Sequence, residues 1–322
     1  MTLWRKMGFE VHIIRPWIND DTNAIKLRAE LEAEGYIMHR NQEWAKIDGM
    51  PCISYCSGDG LKYLPEIRKH TDTFIFVNCM TFLFPKEKEH VQSGLITHEL
   101  YQRQQVMDKL YPELYKLNNK IPGHVVKPYF DSTDFPFHDR SLPEHRRAAK
   151  FGRISRDDAS KFHPKTLWIY ETMVAPQLKE GLMLGVNENV EKKIGKIPSW
   201  IRKNRAGTMP QQDFYKFANF LIQPCDPNHL ENLPRISFEA MSSGSLLIVD
   251  DKGGFQDQVI HGVTGWRCKN EREYVYYASR AMYEFEESQA MRLKAHDFLI
   301  ENWGEAAVID GWKKYFSEIG IL

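Results

Sequence analysis

Short β-rich runs alternate with helical stretches from one end of this chain to the other, and that order leaves few folds open. "EVHIIRP" (10–16) reads as a strand, and "TNAIKLRAELEAEG" (22–35) as a helix stopped by Gly35. "GYIMHR", "CISYCSG" and "TFIFVNC" (73–79) read as further strands. "SGLITHEL" starts as a strand and runs into a helix through about Leu117, and "GHVVKPYFD" (123–131) closes the series. The expectation is an α/β domain built on a mostly parallel sheet.

A second series follows. "DSTDFPFHDRSLPEHRRAAK" (131–150) is polar, carries two prolines and reads as an interdomain linker. "KFGRIS" (150–155) opens the next strand. A helix near 164–180, then "LMLGVN" (182–187), "NFLIQPC" (219–225), "SLLIVDD" (245–251) and "GWRCK" (265–269) continue it. Three helices close the chain, near 271–285, 287–301 and 304–318. The division is therefore drawn at 1–142 and 143–303, with 304–322 as a helix crossing back to the first domain. Two such halves place a ligand at strand C-termini facing the cleft between them.

The charge balance removes some classes of function. Basic and acidic residues number 43 each, and neither half is basic overall, so no global field draws nucleic acid or membrane. No apolar run approaches a membrane span. The start, "MTLWRKMGFEVHII", has no signal-peptide core. The five cysteines form no paired zinc spacing and read as reduced thiols, so a cytoplasmic protein is expected.

The stretch "ENLPRISFEAMSSGS" (231–245) concentrates the chemistry. It follows the strand "NFLIQPC". Pro234 suits the first turn of a helix that Gly244 ends in the C′ role. Glu231 then sits before the helix and Glu239 within it, with backbone N–H groups around Asn232, Leu233 and Arg235 between them. A helix N-terminus favours phosphate. A carboxylate for hydroxyls on each side of a phosphate site matches a nucleotide-sugar: sugar, diphosphate, ribose. The plainer alternatives are a solvated helix carboxylate for Glu239 and a helix-capping one for Glu231.

The segment "ENLPRISFEAMSSGSLLIVDDKGGFQDQVIHGVTGW" (231–266) resembles the donor site of retaining GT-B glycosyltransferases of the family-4 type. The likeness is carried by an ordered set: E-x7-E, E-A-M-x-x-G, a G-G turn and G-x-T-G. "KFGRISRDDASK" (150–161) is similar to the strand that opens their donor domain. The resemblance implies a GT-B fold of two Rossmann-like domains facing a cleft, acceptor-binding first and donor-binding second. It implies that Glu239 binds the donor ribose and that Glu231 contacts the transferred sugar. Arg153, with Lys161 or Arg156, would neutralise the diphosphate. Gly253 and Gly254 would let the chain pass close to the sugar.

It further implies transfer with retention through an oxocarbenium-like transition state. The chain has no D-x-D triplet, and no metal or cofactor is expected beyond the donor itself, for which UDP-glucose is the first guess. The acceptor stays open: a glycan, a small molecule or modified DNA. The family's first strand and glycine-rich loop have no counterpart here, where "LWRKMGFEVHII" corresponds to the helix after them. His98, and beside it His90, is the candidate on the acceptor or sugar side. Competing readings are a glucosyltransferase acting on a hydroxymethylated DNA base, with "KKIGKIPSWIRKNR" (192–205) as its contact, a sugar-nucleotide epimerase, or a non-catalytic nucleotide-sugar binder.

Overall fold

"FIFVN" is apolar at nearly every position, and Phe74–Asn78 is buried at all five. That is the pattern of a strand covered on both faces, as in a parallel sheet flanked by helices. A computed structural model places it so. The structure describes residues 1–14, 22–40, 42–141 and 147–322. They form two compact units, Met1–Tyr129 with Glu305–Leu322, and Phe130–Gly304.

The first unit holds β1 (His12–Ile14), β2 (Ile37–His39), β3 (Cys52–Tyr55), β4 (Phe74–Asn78), β5 (His98–Tyr101) and β6 (Gly123–Val125). β1 and β2 pair with each other, and β3-β4-β5-β6 make a separate four-stranded sheet, all parallel. Ile75, Val77 and Leu100 pack with Val308, Trp312 and Phe316 of the helix Glu305–Glu318. "SGLITHEL" divides differently from its reading. The strand begins only at His98, and the helix after it is Gln104–Leu117. The helix Pro85–Gln92 precedes it, with proline in its first turn.

The second unit holds β7 (Ala148–Ile154), β8 (Leu178–Leu184), β9 (Ile201–Asn204), β10 (Phe220–Gln223), β11 (Leu246–Asp250) and β12 (Gly265–Cys268). They form one parallel sheet in the order β12-β11-β10-β7-β8-β9. The chain winds outward one way from β7 and the other way from β10. The β7–β10 boundary is thus the topological switch point, where ligands of such sheets bind. The ladder between these two strands pairs Phe220 with Phe151 and Leu221 with Gly152. Beyond it the Gln223 side chain substitutes for backbone, accepting from Ile154 N at 3.3 Å and donating to Ile154 O at 3.0 Å.

Two expectations are corrected here. The helix expected over 164–180 is Thr166–Thr172, because β8 already starts at Leu178. The division falls after Tyr129, not at 142. Residues 130–140 carry a proline and four charged residues but contribute Phe130 and Phe135 to the core of the second unit, against Tyr215, Phe238 and Trp303. Arg140, 1% exposed, donates to the carbonyls of Lys216 (2.8 Å) and Tyr215 (2.6 Å). Two packed rings and a buried guanidinium anchored on two carbonyls outweigh a linker-like composition. The remaining stretch, 142–146, lies outside the described residues.

Phe135→Ala tests this assignment. A fully packed ring costs about 3–5 kcal/mol when truncated, whereas a linker position costs under about 0.5 kcal/mol. Urea unfolding of the variant is expected to show the larger loss.

Candidate active site

Two loops leave the switch point, one after β7 and one after β10. The first turns through Ala159–Lys161, a short 3-10 turn whose entry is capped by Asp158 accepting from Ser160 N at 2.9 Å. The second runs from Pro224 to Pro234 and enters the helix Arg235–Ser242. Lys193 ties them together. Its Nζ donates to Ala159 O at 2.8 Å and pairs with Asp226 Oδ2 at 2.5 Å. Asp250 braces the second loop from β11, accepting from Cys225 N at 3.0 Å and Tyr274 OH at 2.9 Å.

The two loops meet at Glu231. Its Oε1 lies 2.5 Å from Lys161 Nζ and 3.1 Å from His229 Nε2. Partial burial pushes this carboxyl up, but Lys161 and His229 together outweigh it and hold it below the ordinary range. Arg153 is placed otherwise than expected. It is fully buried, 0% exposed, instead of projecting as a clamp. Its Nη1 donates to Ser155 Oγ at 3.0 Å and its Nη2 to Lys161 O at 2.7 Å. The guanidinium stacks 3.3 Å over the Phe162 ring. Burial lowers its pKa. Arg153 thus holds the backbone that carries Lys161, a planar donor on an aromatic face. Arg156 is exposed, and its guanidinium has no ion-pair partner among the described residues.

Glu239 sits one turn into the helix, 1% exposed. Tyr215 OH donates to its Oε2 at 2.9 Å and Arg235 Nε to its Oε1 at 3.0 Å. Burial raises its pKa, and the two partners oppose that rise only in part. The two glutamates of the E-x7-E spacing are therefore shifted in opposite directions. Pro234 is the N-cap rather than the first helical residue. The N–H groups of Leu233, Arg235 and Ile236 have no acceptor among the described residues. Ser243 caps the far end and Gly244 follows in the left-handed region at φ +72°, the expected stop.

The Gly253–Gly254 turn lies against Asn232 and the Glu231 backbone. Gly254 N donates to Glu231 O at 2.9 Å. A Cβ on Gly254 would fall 2.2 Å from Asn232 O, and one on Gly253, at φ +58°, 2.5 Å from Glu231 O. Only a residue without a side chain allows that approach. Structure thus brings together Lys161, Glu231, Asn232, Leu233, Pro234, Arg235, Glu239, Gly253 and Gly254. His98 lies in the first unit at the start of β5, its Nδ1 2.8 Å from Thr97 Oγ1. His90 there sits on the helix Pro85–Gln92, its Nε2 2.8 Å from Leu61 O.

Sequence reasoning missed His229, Tyr215 and Lys193. His229 stands two residues before Glu231, a proximity signal that was available. Tyr215 and Lys193 reach the site from other helices, Gln211–Phe217 and Glu188–Ile194, and nothing in their local sequence marked it. The basic stretch at 192–205 is largely engaged: Lys193 holds Asp226, Lys203 pairs with Glu191, and Ile201–Asn204 is the edge strand β9.

Two outcomes are expected from these contacts. A carboxyl held below its unfolded pKa stabilises the fold above that value and loses the contribution as pH falls through the folded one. Melting temperature should therefore drop less steeply between about pH 5 and pH 3 in Glu231→Gln than in wild type. Gly254→Ala should lose about 1–3 kcal/mol in denaturant unfolding, because the clash is with backbone.

No model of a protein family and no curated protein sequence matches the chain. Solved structures do. A glycosyltransferase from Rickettsia africae superposes with a TM-score of 0.70 at 15% identity, over 98% of this chain and 91% of that one. Anabaena Alr3699/HepE in complex with UDP-glucose gives 0.64 at 10% identity, over 96% and 99%. Sucrose-phosphate synthase from Thermosynechococcus elongatus gives 0.63 at 12% identity, over 99% and 91%. The chain thus has the fold of these enzymes, the α/β GT-B fold of glycosyltransferases.

Proposed function

We propose that this protein is a retaining, metal-independent glycosyltransferase that moves a hexose from a nucleotide-diphosphate sugar, with UDP-glucose as first candidate, to a hydroxyl acceptor. The observation that carries the reading is the grouping of Glu231, Lys161, the open helix N-terminus at 233–236 and Glu239 at the switch point of the second unit. The fold shared with HepE, which was solved with UDP-glucose, supports the choice of donor.

In this reading the diphosphate lies on the amides of Leu233, Arg235 and Ile236, a site that favours negative charge before any side chain acts. Lys161 exchanges part of its contact with Glu231 for the phosphate. Arg156, exposed on the first loop, supplies a second cation. Arg153 is a positioning residue: it fixes the Lys161 backbone and does not touch the donor. Charge that develops on the departing diphosphate meets donors already in place, which lowers the barrier without reorganisation. Glu231, freed from Lys161, accepts hydrogen bonds from sugar hydroxyls. Each oxygen of Glu239 retains a lone pair beyond its present partner. Arg235 is 70% exposed in its side chain, so it can swing aside and admit the ribose diol. Retention requires the acceptor hydroxyl to attack from the face that the phosphate leaves, so the protein's work is alignment of the two.

A thermal-shift panel of UDP, GDP, ADP, TDP and their common sugars tests the donor. A ligand at about 100 times its Kd stabilises by about 2.7 kcal/mol. One uridine ligand is expected to raise Tm by several degrees in wild type and not in Glu239→Ala. No shift from any nucleotide on a folded sample would remove the donor-site reading. Turnover in excess EDTA and an unchanged anomeric configuration in the product, read by NMR, check the remaining two terms.

A further inference from the structure

Two cysteines of the first unit meet at the ends of neighbouring strands. β3 and β4 run parallel with Tyr55 opposite Val77. Cys56 is the residue after β3 and Cys79 the residue after β4, and both are half-buried free thiols. Cys56 N donates to Val77 O at 2.9 Å, which keeps the chains adjacent beyond the last ladder pair. Cys56 then leaves the extended conformation at φ +43°, a left-handed setting uncommon outside glycine. Its sulfur reaches the next strand. Cys79 N donates to Cys56 Sγ at 3.4 Å, and the Cys79 thiol donates to the same sulfur. Cys79 Sγ also lies 3.8 Å from Val77 O, the acceptor of Cys56 N. A diagonal pair on neighbouring strands, one residue out of step, is about 5.8 Å apart at Cα from strand spacing and rise. A disulfide spans roughly 4.4–6.8 Å there, so joining these sulfurs needs no rearrangement of the sheet.

Electrostatics sets the pair apart from the other thiols. Hydrogen bonds from Cys79 stabilise a thiolate at Cys56 and hold it below the ordinary thiol range, against the opposing effect of burial. Cys79 is pushed up in return. One sulfur is set to carry charge while the other keeps the proton they share. The remaining three are raised by burial, Cys52 to about 11 and Cys225 and Cys268 also. A thiol that titrates near ambient pH is the most effective attacker of a disulfide.

We propose that Cys56 and Cys79 form a reactive dithiol that exchanges with small-molecule disulfides, Cys56 attacking and Cys79 resolving. The Cys56 thiolate attacks one sulfur of R–S–S–R. A Cys56–S–R bond forms, the reagent's S–S bond breaks, and RS⁻ leaves, regaining from solvent the proton that Cys56 had given up. Cys79 then attacks the Cys56 sulfur. The Cys56–Cys79 bond forms and the second RS⁻ leaves with the Cys79 proton. Two protein thiols are oxidised and one disulfide is reduced to two thiols, so no further oxidant enters. Asn78, next to Cys79, accepts from Met80 N at 2.7 Å and donates to Phe82 O at 3.1 Å. The new bond therefore ties that turn to the end of β3.

The reduced full chain is incubated with glutathione disulfide at pH 7, then alkylated in denaturant and mapped by mass spectrometry. The expected product is a Cys56–Cys79 disulfide with no lasting glutathione on either residue, reversed by dithiothreitol. Before oxidation, iodoacetamide should label Cys56 at least about tenfold faster than Cys52, Cys225 or Cys268. In Cys79→Ala the exchange should stop at glutathione on Cys56, and labelling of Cys56 should slow several-fold. Lasting glutathione on Cys56 of the wild type overturns the proposal, because Cys79 then fails to resolve it. A disulfide between other cysteines or between two chains overturns it, and so does a Cys56 that stays reduced. Glutathione uptake at Cys79 as fast in Cys56→Ser as exchange in wild type overturns it as well. The wild-type map alone decides the matter where a variant fails to fold.

Discussion

The side-chain amide of Gln223 is the contact on which the second unit's site depends. The backbone ladder between β7 and β10 stops after Leu221, and Gln223 bridges to both backbone groups of Ile154. Strands that paired to their ends would carry their loops side by side with no room between them. The side chain spans a wider separation than a direct ladder bond while leaving no buried amide unpaired. The loops at Ser155 and Pro224 start from that opening. Lys193, bonded to Ala159 on one and Asp226 on the other, then fixes how far apart they go.

Burial decides what each charged group at the site can be. Arg153 and Glu239 are both shut away from water, and each is held by protein partners, Arg153 by Ser155 and the Lys161 carbonyl and Glu239 by Tyr215. Each would cost stability if left alone, and Arg153 acts as part of the scaffold that carries Lys161. Glu231 and Lys161 remain within reach of solvent and are paired with each other. An ion pair of that kind can be opened by a ligand that offers Lys161 a better anion. Glu231 is held ionised by its cations, while Glu239 is pushed toward neutrality by its surroundings. The same residue type, eight positions apart, is given two electrostatic settings by depth alone.

Much of the fold was legible because parallel α/β order leaves a local trace. "FIFVN", "NFLIQPC" and "SLLIVDD" are apolar runs bounded by turns, and all three are strands. The helix Arg235–Ser242 and its stop at Gly244 were legible from proline and glycine chemistry. The strand β9 was not: "IRKN" is an edge strand with two exposed cations, and its composition resembles a solvated face. The segment 130–140 misled for the opposite reason, since its proline and charges hide two core aromatics.

The sequence by itself determined which residues stand near the helix N-terminus, because Glu231, Pro234, Arg235 and Glu239 are held at that end by chain connectivity. The glycines at 253 and 254 stand in the sequence, but the approach of the Glu231 and Asn232 carbonyls that admits no side chain there is tertiary. Only the tertiary structure decided what those residues do. Arg153 is eight residues from Lys161 in the chain, yet whether its guanidinium faces a ligand or a backbone carbonyl depends on Phe162 folding beneath it. Tyr215 reaches Glu239 and Lys193 reaches Asp226 from other elements. Depth from solvent and partners brought in over long sequence separation have no local signature, and they set the charge and mobility of every group in the site.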